Sequence, residues 1–317
     1  MMQRLRSAWA WVPSGAARWV SVLSFGFLVA ALVGHGRQMP GLAPDLHGWL
    51  WLMLGLGVSL LSLSMSGLLW GIGLSWLGLA PRWQPLVLAY LHSNARKYLP
   101  GGIWHLVSRL QQLRQGVAVA APVAAPLALV AVLLDPIVAA VSALLLVSAG
   151  GLQGGLGLVC LLPLLLLMPR WLTPALTWLE RRKATALGLD PLETRVPELP
   201  PTYPLLPLLA GVLFVLLRFG AFMCCVMALD LEAALGWGGW LAGFALAWTA
   251  GLVVPGAPAG LGVFEVVLLL RLGVALPEAP LLALAISYRL VVSGADLLGA
   301  LLADADQRGR GLARLRN

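Results

Sequence analysis

Charged side chains are scarce in this sequence of 317 residues. Asp, Glu, Lys and Arg make up 11% of the residues and hydrophobic residues 60%, whereas about a quarter of a soluble globular protein is charged. The runs without any of these charges are 36 residues long at 46–81, 34 at 136–169 and 32 at 233–264. Since about 20 helical residues cross the apolar core of a bilayer, each run is long enough to span it. The composition predicts an all-α polytopic membrane protein and excludes a soluble enzyme, a disordered chain and a disulfide scaffold.

Cysteine and histidine are also rare, and they form no recognisable ligand set. The three cysteines lie inside apolar stretches, and the four histidines lack the spacing of metal-binding motifs. These residues are Cys160, Cys224, Cys225, His35, His47, His92 and His105. We therefore predict no metal, no cofactor and no disulfide framework, and we do not expect an enzyme.

Basic residues outnumber acidic ones. The sequence has 21 Lys and Arg and 13 Asp and Glu, which gives a net charge of +8. Such an excess in a soluble protein suggests nucleic-acid binding, whereas in a membrane protein it collects in cytoplasmic loops. Here the basic residues concentrate in the N-terminal segment, in 170–203 and in the tail 304–317. We therefore predict no nucleic acid as a partner, and we place both termini and the 170–203 loop on the cytoplasmic side.

The polar region 170–203 divides an otherwise apolar chain. It is too short for a domain of its own, so we predict one membrane domain over 1–317. Its divisions are 18–169 for the first half, 170–203 for the cytoplasmic loop, 204–303 for the second half and 304–317 for the basic tail. Cytoplasmic termini require an even number of crossings, and we predict about six full transmembrane helices, at about 18–34, within 46–79, and at about 118–149, 155–168, 205–228 and 281–303.

Two clusters of proline and glycine interrupt the apolar pattern at corresponding places in the two halves. They are Pro100-Gly101-Gly102 and the segment 254–262, which includes Pro258, Gly260 and Gly262. Free backbone groups at membrane depth survive only where protein buries them or a wet cavity receives them. We therefore expect 82–115 and 237–276 to be two re-entrant helix pairs that enter from opposite sides, as in an inverted repeat whose half-helix N-termini face an anion. The alternative is a simple loop between two full helices.

A few ionisable residues interrupt the apolar stretches of both halves. An ionisable group at such depth is costly unless it is paired or hydrated, so either a function or a buried ion pair explains it. The residues are Asp135, Arg218, Glu265, Arg271, Arg289 and Asp296. Arg289 has two candidate partners among them, Asp296 and Glu265. Around the first break, the predicted phosphate-attracting cluster consists of Arg96, Lys97, Arg109 and Arg114, and the alternative for Arg114 is an ordinary interfacial anchor.

Two separated strings resemble the membrane region of lysylphosphatidylglycerol synthases, the flippase-like integral membrane family. The first is Asn94-Ala95-Arg96-Lys97-Tyr98-Leu99-Pro100-Gly101-Gly102-Ile103-Trp104, continuing to Arg109 and to Arg114-Gln115-Gly116-Val117. The second is Pro258-Ala259-Gly260-Leu261-Gly262-Val263-Phe264-Glu265, similar to the family's Pro-Gly-Gly-Leu-Gly-Val-Phe-Glu signature. The chain departs from the family at Ile103-Trp104-His105, where many relatives continue with glycines and an acidic residue, and at Ala259, which replaces a glycine.

The resemblance implies a polytopic domain of the bacterial cytoplasmic (inner) membrane that moves a lipid across the bilayer. In the best-known members that lipid is an aminoacylated phosphatidylglycerol, made by a large soluble C-terminal domain. This sequence ends at Asn317 after a short basic tail, so we expect a transport domain without synthase chemistry.

The breaks, the charges and the resemblance together favour a lipid flippase or transporter for an anionic phospholipid or a polyprenyl-phosphate-linked lipid. The predicted partners are anionic membrane lipids, while a protein of envelope biosynthesis and a second copy of the chain stay open. The predicted substrate-binding residues are Arg96, Lys97, Pro100, Gly101, Gly102, Trp104, His105, Arg109, Pro258, Gly260, Gly262 and Glu265. Two alternatives are a non-transporting partner of an envelope lipid or glycan pathway and a membrane-embedded lipid-modifying enzyme with Asp135 or Glu265 as general base.

Overall fold

Helices make up most of the part of the chain that the structure describes. The computed structural model describes residues 44–98, 104–151, 156–184, 199–254 and 258–316. The predicted first span at 18–34 lies outside these residues. The α-helices are α1 (Leu46–Trp76), α2 (Trp83–Asn94), α3 (Trp104–Arg114), α4 (Ala125–Ala149), α5 (Leu156–Val159), α6 (Pro163–Leu166), α7 (Pro169–Ala184), α8 (Leu205–Ala228), α9 (Trp237–Val253), α10 (Val263–Leu272) and α11 (Glu278–Arg316). Short 3-10 turns cover Ala95–Tyr98, Glu232–Ala234 and Pro258–Gly260.

Four helices are long and apolar enough to cross a bilayer, namely α1, α4, α8 and the Glu278–Asp306 part of α11. Their outward faces carry leucine at helical spacing, as Leu54, Leu61 and Leu68 show on α1, where all three are exposed. An exposed apolar face of this length suits a helix that contacts lipid. The prediction of an all-α membrane protein is confirmed at the level of class, while the number of spans stays a prediction.

Helix α1 packs antiparallel to α8 at the centre of the bundle. Ser62 Oγ donates to the carbonyl of Phe214 at 3.4 Å, and Arg218 Nη1 donates to Ser59 Oγ at 3.2 Å, so residue numbers rise along α1 as they fall along α8. A buried aromatic group fills the space between α8, α9, α10 and α11. Its members are Phe222, Trp240, Phe244, Phe264 and Tyr288.

Helices α2 and α3 form an antiparallel pair, here called the first hairpin, whose tip includes the turn Ala95–Tyr98. Its outer ends are joined by backbone hydrogen bonds, of 3.0 Å from Arg82 N–H to the Ala118 carbonyl and of 2.9 Å from Ala120 N–H to the Ala80 carbonyl. These bonds hold 118–120 in an extended conformation. For this reason α4 begins at Ala125 and not at about 118, where the apolar pattern predicts its start.

Helices α9 and α10 form a second antiparallel pair, here called the second hairpin, whose tip includes the turn Pro258–Gly260. Gly251 lies against Gly260 near the tip, and Gly243 lies against the Leu272 side chain toward the outer end. Both predicted interruptions of the apolar pattern therefore separate two helices that fold back on each other.

The two hairpins approach each other from opposite ends of the α1–α8 pair. The outer end of the first hairpin lies against the last turns of α1, where Gly71 contacts Trp83. The outer end of the second lies against the later turns of α8, where Phe222 contacts Trp240. This part of α8 lies beside Gly55, in the first half of α1. The hairpins are therefore opposed.

The region after α4 differs from the span that the sequence predicts at about 155–168. It contains the short helices α5 and α6, and the axis turns by 84° between Gly157–Leu166 and Pro169–Trp178. Pro163 and Pro169 each begin a helix, because proline fits the first turn but lacks the N–H that later positions need. Helix α7 occupies the first part of the predicted 170–203 loop, and α11 continues through the predicted basic tail.

Candidate functional site

The tips of the two hairpins meet inside the bundle, and helix α11 runs past both. The turn Ala95–Tyr98 contacts the turn Pro258–Gly260. Arg289 of α11 reaches the second tip and Asp296 reaches the first, and their separation of seven positions corresponds to about 10 Å of helix. The two breaks, which lie far apart in the sequence, therefore share one region, here called the tip junction.

Asp296 binds three side chains of the first hairpin. Lys97 Nζ lies 2.7 Å from its Oδ2, Tyr98 OH donates to the same oxygen at 2.6 Å, and Asn94 Nδ2 donates to Oδ1 at 2.7 Å. One turn earlier on α11, Ser293 Oγ donates to Tyr98 OH at 3.1 Å. Asp296 is only 1% exposed, and both of its oxygens have partners. This carboxylate therefore holds the first tip against α11.

Arg109 and Asp135 form another buried ion pair, between α3 and α4. Arg109 Nη1 donates to Asp135 Oδ2 at 3.0 Å, and the guanidinium lies over the Tyr90 ring, 3.6 Å from its centroid. Tyr90 OH donates to Asp135 Oδ2 at 3.3 Å. Asn94 joins this pair to Asp296, because its carbonyl oxygen accepts from Arg109 Nη2 at 3.5 Å. A continuous polar network therefore connects α3, α4, the first tip and α11.

Arg289 holds the second tip. Its Nη1 donates to the Ala259 carbonyl at 2.6 Å, its Nη2 to the Gly260 carbonyl at 2.7 Å and its Nε to Glu265 Oε1 at 2.8 Å. Glu265 Oε2 accepts from the Gly262 N–H at 2.6 Å. Of the two partners considered for Arg289, the structure selects Glu265, which is buried. The N-terminus of α10, where an anion is predicted, is therefore already faced by a carboxylate of its own helix.

The backbone of the second tip adopts left-handed conformations at three positions. Gly260 has φ 71° and Gly262 has φ 81°, which glycine adopts without strain. Ala259 has φ 51° at the position where the resembling family has glycine. The carbonyl of this strained residue accepts a hydrogen bond from Arg289. The Arg289 side chain and the strained turn therefore stabilise each other.

Gly260→Ala is expected to destabilise the protein by about 1–3 kcal/mol. A Cβ at this position would lie 2.8 Å from the Gly251 carbonyl oxygen, and the positive φ disfavours any L side chain. Thermal unfolding in maltoside detergent, followed by tryptophan fluorescence, measures the change. Gly57→Ala is the matched control, because a Cβ there meets nothing within 4 Å. Equal melting temperatures for Gly260→Ala and the wild type would contradict the tight packing of the tip.

The cations of the predicted phosphate cluster are engaged separately. Arg96 turns toward α3 and the end of α2, since its Nη1 donates to Ser108 Oγ at 2.9 Å and its Nη2 lies 3.0 Å from His92 Nε2. Lys97 pairs with Asp296, and Arg109 pairs with Asp135. Arg114 is exposed at the end of α3. The structure thus brings Lys97 to the tip junction and gives Arg96 and Arg109 partners around it.

The other predicted site residues lie at the start of α3 or outside the described residues. Trp104 and His105 open α3 and are half-buried. Pro100, Gly101 and Gly102 lie outside the described residues, as does the side chain of Pro258. The prediction that the backbone N–H groups of Gly101 and Gly102 hold an anion therefore stays a prediction.

Arg218 of α8 is a buried cation of the same region, and the predicted site did not include it. It is 5% exposed, and among the described residues its single hydrogen bond runs from Nη1 to Ser59 Oγ. Its Nε has no partner. Arg218 lies close enough to Lys97 and Tyr98 to interact with them electrostatically. The sequence signal that could have identified Arg218 is its position as a lone arginine in an otherwise apolar stretch.

The predicted site also omitted the neutral and acidic groups that organise the first tip. Asn94 and Tyr98 stand in the string that carries the family resemblance, and Asp296 was noted only as an ionisable residue. A polar side chain next to Lys97 in an apolar environment is a signal that could have identified Tyr98. Nothing in the local sequence connects these residues to Asp296, since α11 lies about 200 residues further along the chain.

The acidic groups of the described residues do not form a metal site. No group of three or more His, Cys, Asp or Glu side chains in this part of the chain is arranged to hold a metal ion. The carboxylates of Asp135, Glu265 and Asp296 each bind a cation of the chain and lie apart from one another in separate ion pairs. These charges therefore serve ion pairing in the described structure.

No family model matches the chain, and no curated protein matches it either. The resemblance to the membrane region of lysylphosphatidylglycerol synthases therefore stays a prediction that depends on the two strings alone.

Proposed function

We propose that this protein is a membrane transporter that moves an amphipathic anion, either an anionic phospholipid or a polyprenyl-phosphate-linked lipid, across the bilayer. The observation that carries the proposal is the meeting of two opposed hairpin tips around buried ion pairs, among helices long enough to span a membrane. Broken helices that meet around charged groups within such a bundle are typical of transporter sites.

The proposal includes six full crossings and two re-entrant pairs related as an inverted repeat. In it α1, α4, α8, α11 and the bent α5–α7 segment cross the bilayer, and 18–34 supplies the first crossing. The first hairpin enters from the cytoplasm and the second from outside. The hydrogen bonds between 80–82 and 118–120 support this arrangement, since a pair that enters and leaves by one face brings its outer ends together.

The charge balance at the tip junction favours an anion as the substrate. Lys97, Arg218 and Arg289 supply three positive charges, and Glu265 and Asp296 supply two negative ones, which leaves one positive charge. A charge held in a low-dielectric interior attracts the opposite charge strongly. The hydrocarbon chains of a lipid stay in the bilayer during its transfer, so only the headgroup needs this polar region.

The lipid-modifying alternative gains no support from the carboxylates named for it. Asp135 accepts a hydrogen bond from Arg109, and Glu265 accepts one from Arg289. A general base needs a lone pair within reach of the substrate proton. Asp135 and Glu265 are also buried, at 9% and 1% exposure, which keeps a substrate proton away from them, and transport remains the function that the geometry supports best.

Lys97→Gln is expected to slow the translocation of an anionic lipid by about tenfold or more, because it removes a charge-assisted contact at the junction. The assay uses phosphatidylcholine proteoliposomes with trace NBD-labelled phosphatidylglycerol or polyprenyl phosphate, and dithionite reports the label in the outer leaflet. The variant also leaves the buried Asp296 without its cation, although Tyr98 and Asn94 still donate to it, so each rate is corrected for the folded fraction. Vesicles are tested with and without a proton gradient.

Arg114→Gln is the matched control, because it removes one positive charge from the exposed end of the same hairpin. Its translocation rate should equal that of the wild type. Equal losses in both variants would mean that general surface charge, and not the junction, attracts the lipid. Wild-type vesicles no faster than protein-free vesicles with either labelled lipid would reject the transporter and favour a non-transporting envelope partner.

A further inference from the structure

We infer that Arg218 is an anion-binding residue of the tip junction and that its ligand is a phosphate group. The inference deepens the proposed function, on which it rests, by naming the group that receives the charged part of the cargo. It starts from the position of Arg218 in the middle of α8, where it is 95% buried against α1, and from the absence of a carboxylate partner among the described residues.

Arg218 takes part in none of the buried ion pairs that the structure describes. Each of the three buried carboxylates already binds another cation, in the pairs Arg109–Asp135, Arg289–Glu265 and Lys97–Asp296. Among the described residues no ion pair includes Arg218. Of the undescribed segments, 1–43, 99–103, 152–155 and 255–257 contain no Asp or Glu, and 185–198 contains Asp190, Glu193 and Glu198, which belong to the polar connection 170–203 and not to an apolar stretch. A lone buried cation is strongly unfavourable, so its charge calls for an anion from outside the chain.

The free edge of the guanidinium has the shape that a phosphate needs. Nη1 is used by Ser59, whereas Nε has no partner and Nη2 makes no hydrogen bond within the described part of the chain. Nε and Nη2 present their N–H groups side by side, and this pair of donors binds two oxygens of one oxyanion. The Phe214 ring lies 5.7 Å from the guanidinium carbon and limits where the group can turn.

A phosphate suits the free edge of Arg218 better than a carboxylate, because a second cation, Lys97, lies near Arg218. Lys97 interacts electrostatically with both Arg218 and Arg289. Phosphate distributes its charge over several oxygens, so it can accept from Arg218 and from Lys97 at the same time. Nε has no exposed surface, so a ligand reaches this edge when the two tips separate, as alternating access in a transporter requires.

The test measures binding to the full chain in dodecyl maltoside, a detergent without phosphate, by isothermal titration. The probes are dihexanoylphosphatidylglycerol, inorganic phosphate and, as the control without phosphate, dihexanoylglycerol. The wild type should bind the phospholipid at one saturable site and not bind dihexanoylglycerol. Arg218→Gln should raise the Kd by about tenfold or more, since a charged hydrogen bond to an oxyanion is lost.

Two further variants test whether the paired donors of Arg218 bind the phosphate. Arg218→Lys keeps the charge but lacks the pair of parallel donors, so its Kd should fall between those of the wild type and Arg218→Gln. Arg82→Gln removes an exposed arginine at the outer end of the first hairpin and should bind as the wild type does. Wild-type affinity in Arg218→Gln, or no binding of either phosphate probe by the wild type, would overturn the assignment.

Melting temperatures separate a ligand site from a structural arginine. Without the probe, Arg218→Gln should melt at or above the wild-type temperature, because it removes an unpaired buried charge. With dihexanoylphosphatidylglycerol, only the wild type and Arg218→Lys should gain stability. If Arg218→Gln fails to fold and Arg218→Lys binds with wild-type affinity, the arginine is structural and the inference is wrong.

Competition identifies the source of the phosphate. Displacement of the phospholipid by inorganic phosphate would point to free phosphate as the ligand of Arg218, and binding of the phospholipid alone would point to a lipid headgroup. Binding that depends on Arg218 in a protein that moves no lipid would support the anion site and reject the transporter. Lipid translocation at the wild-type rate in Arg218→Gln would support the transporter and reject the anion site.

Discussion

Arg109→Met is expected to lower the free energy of unfolding by about 3–5 kcal/mol, because it leaves the Asp135 carboxylate charged and buried without its partner. Both side chains lie almost entirely inside the bundle, at 3% and 7% exposure. Methionine keeps most of the volume of the arginine stem but not the guanidinium over the Tyr90 ring, so the loss reports the charge, its hydrogen bonds and that ring contact more than a cavity. The stability is measured by thermal unfolding in maltoside detergent.

The double variant Arg109→Met with Asp135→Asn isolates the pair. Each single substitution leaves one buried group uncompensated, whereas the double variant removes both charges and keeps an oxygen at 135 for Tyr90 OH. We therefore expect the double variant to be more stable than the Arg109→Met single variant, with a coupling of about 1–3 kcal/mol. Arg114→Met, an exposed change on the same helix, is the control. Simple additivity of the two single effects would contradict the pair.

The expected instability changes how Arg109 variants are interpreted in transport assays. A loss of translocation in Arg109→Met would follow from fewer folded molecules even if Arg109 never touched a lipid. Only a rate that is corrected for the folded fraction, or the rescued double variant, distinguishes a substrate contact from packing. The same correction for the folded fraction applies at Lys97, which pairs with the buried Asp296 and whose side chain is 19% exposed.

Arg289→Lys is expected to release the tip of the second hairpin and to destabilise the protein by about 3 kcal/mol or more, since charged hydrogen bonds contribute about 1.5–3 kcal/mol each. The arginine fork reaches the Ala259 carbonyl, the Gly260 carbonyl and Glu265 together. A lysine ammonium keeps the charge but cannot direct parallel donors at three separate acceptors. The conservative substitution therefore tests geometry and not charge.

Hydrogen exchange of the backbone amides measures that release locally. Peptides covering 258–265 should exchange about tenfold faster or more in Arg289→Lys, because each 1.4 kcal/mol of lost local stability is a factor of ten. Peptides from the first half of α1 should exchange as in the wild type. Arg271→Lys serves as the control on α10, where Arg271 is half-buried. Unchanged exchange at 258–265 in Arg289→Lys would mean that other contacts hold the tip.

The long helices of this fold follow from local pattern alone. The expected spans within 46–79 and at 205–228 agree with Leu46–Trp76 and Leu205–Ala228, and the predicted pair 237–276 begins with Trp237–Val253. Their lengths are set by uninterrupted apolar sequence, and five of their six ends lie within two residues of a glycine or proline, so no distant contact is needed to predict them. Glycine and proline also indicated the positions of both hairpin tips in the sequence.

Boundaries were less predictable where a distant segment competes for the backbone. Residues 118–120 belong to an apolar stretch that suits a helix, yet they pair with 80–82 and delay the start of α4. The bend between α6 and α7 depends on two prolines and on packing against α4. A periodic pattern does not contain this information, because the competing partner is remote in the sequence.

The sequence by itself determined the class of this protein, its apolar helices, its two breaks and the list of charged residues that its interior must accommodate. Only the tertiary structure decided which charges meet. Lys97 and Asp296 lie 199 positions apart and yet form an ion pair of 2.7 Å, while Arg218 has no ion-pair partner among the described residues. The physical reason is that ion pairing depends on distances of a few ångströms between helices, and those distances exist only once the two hairpins have met against α11.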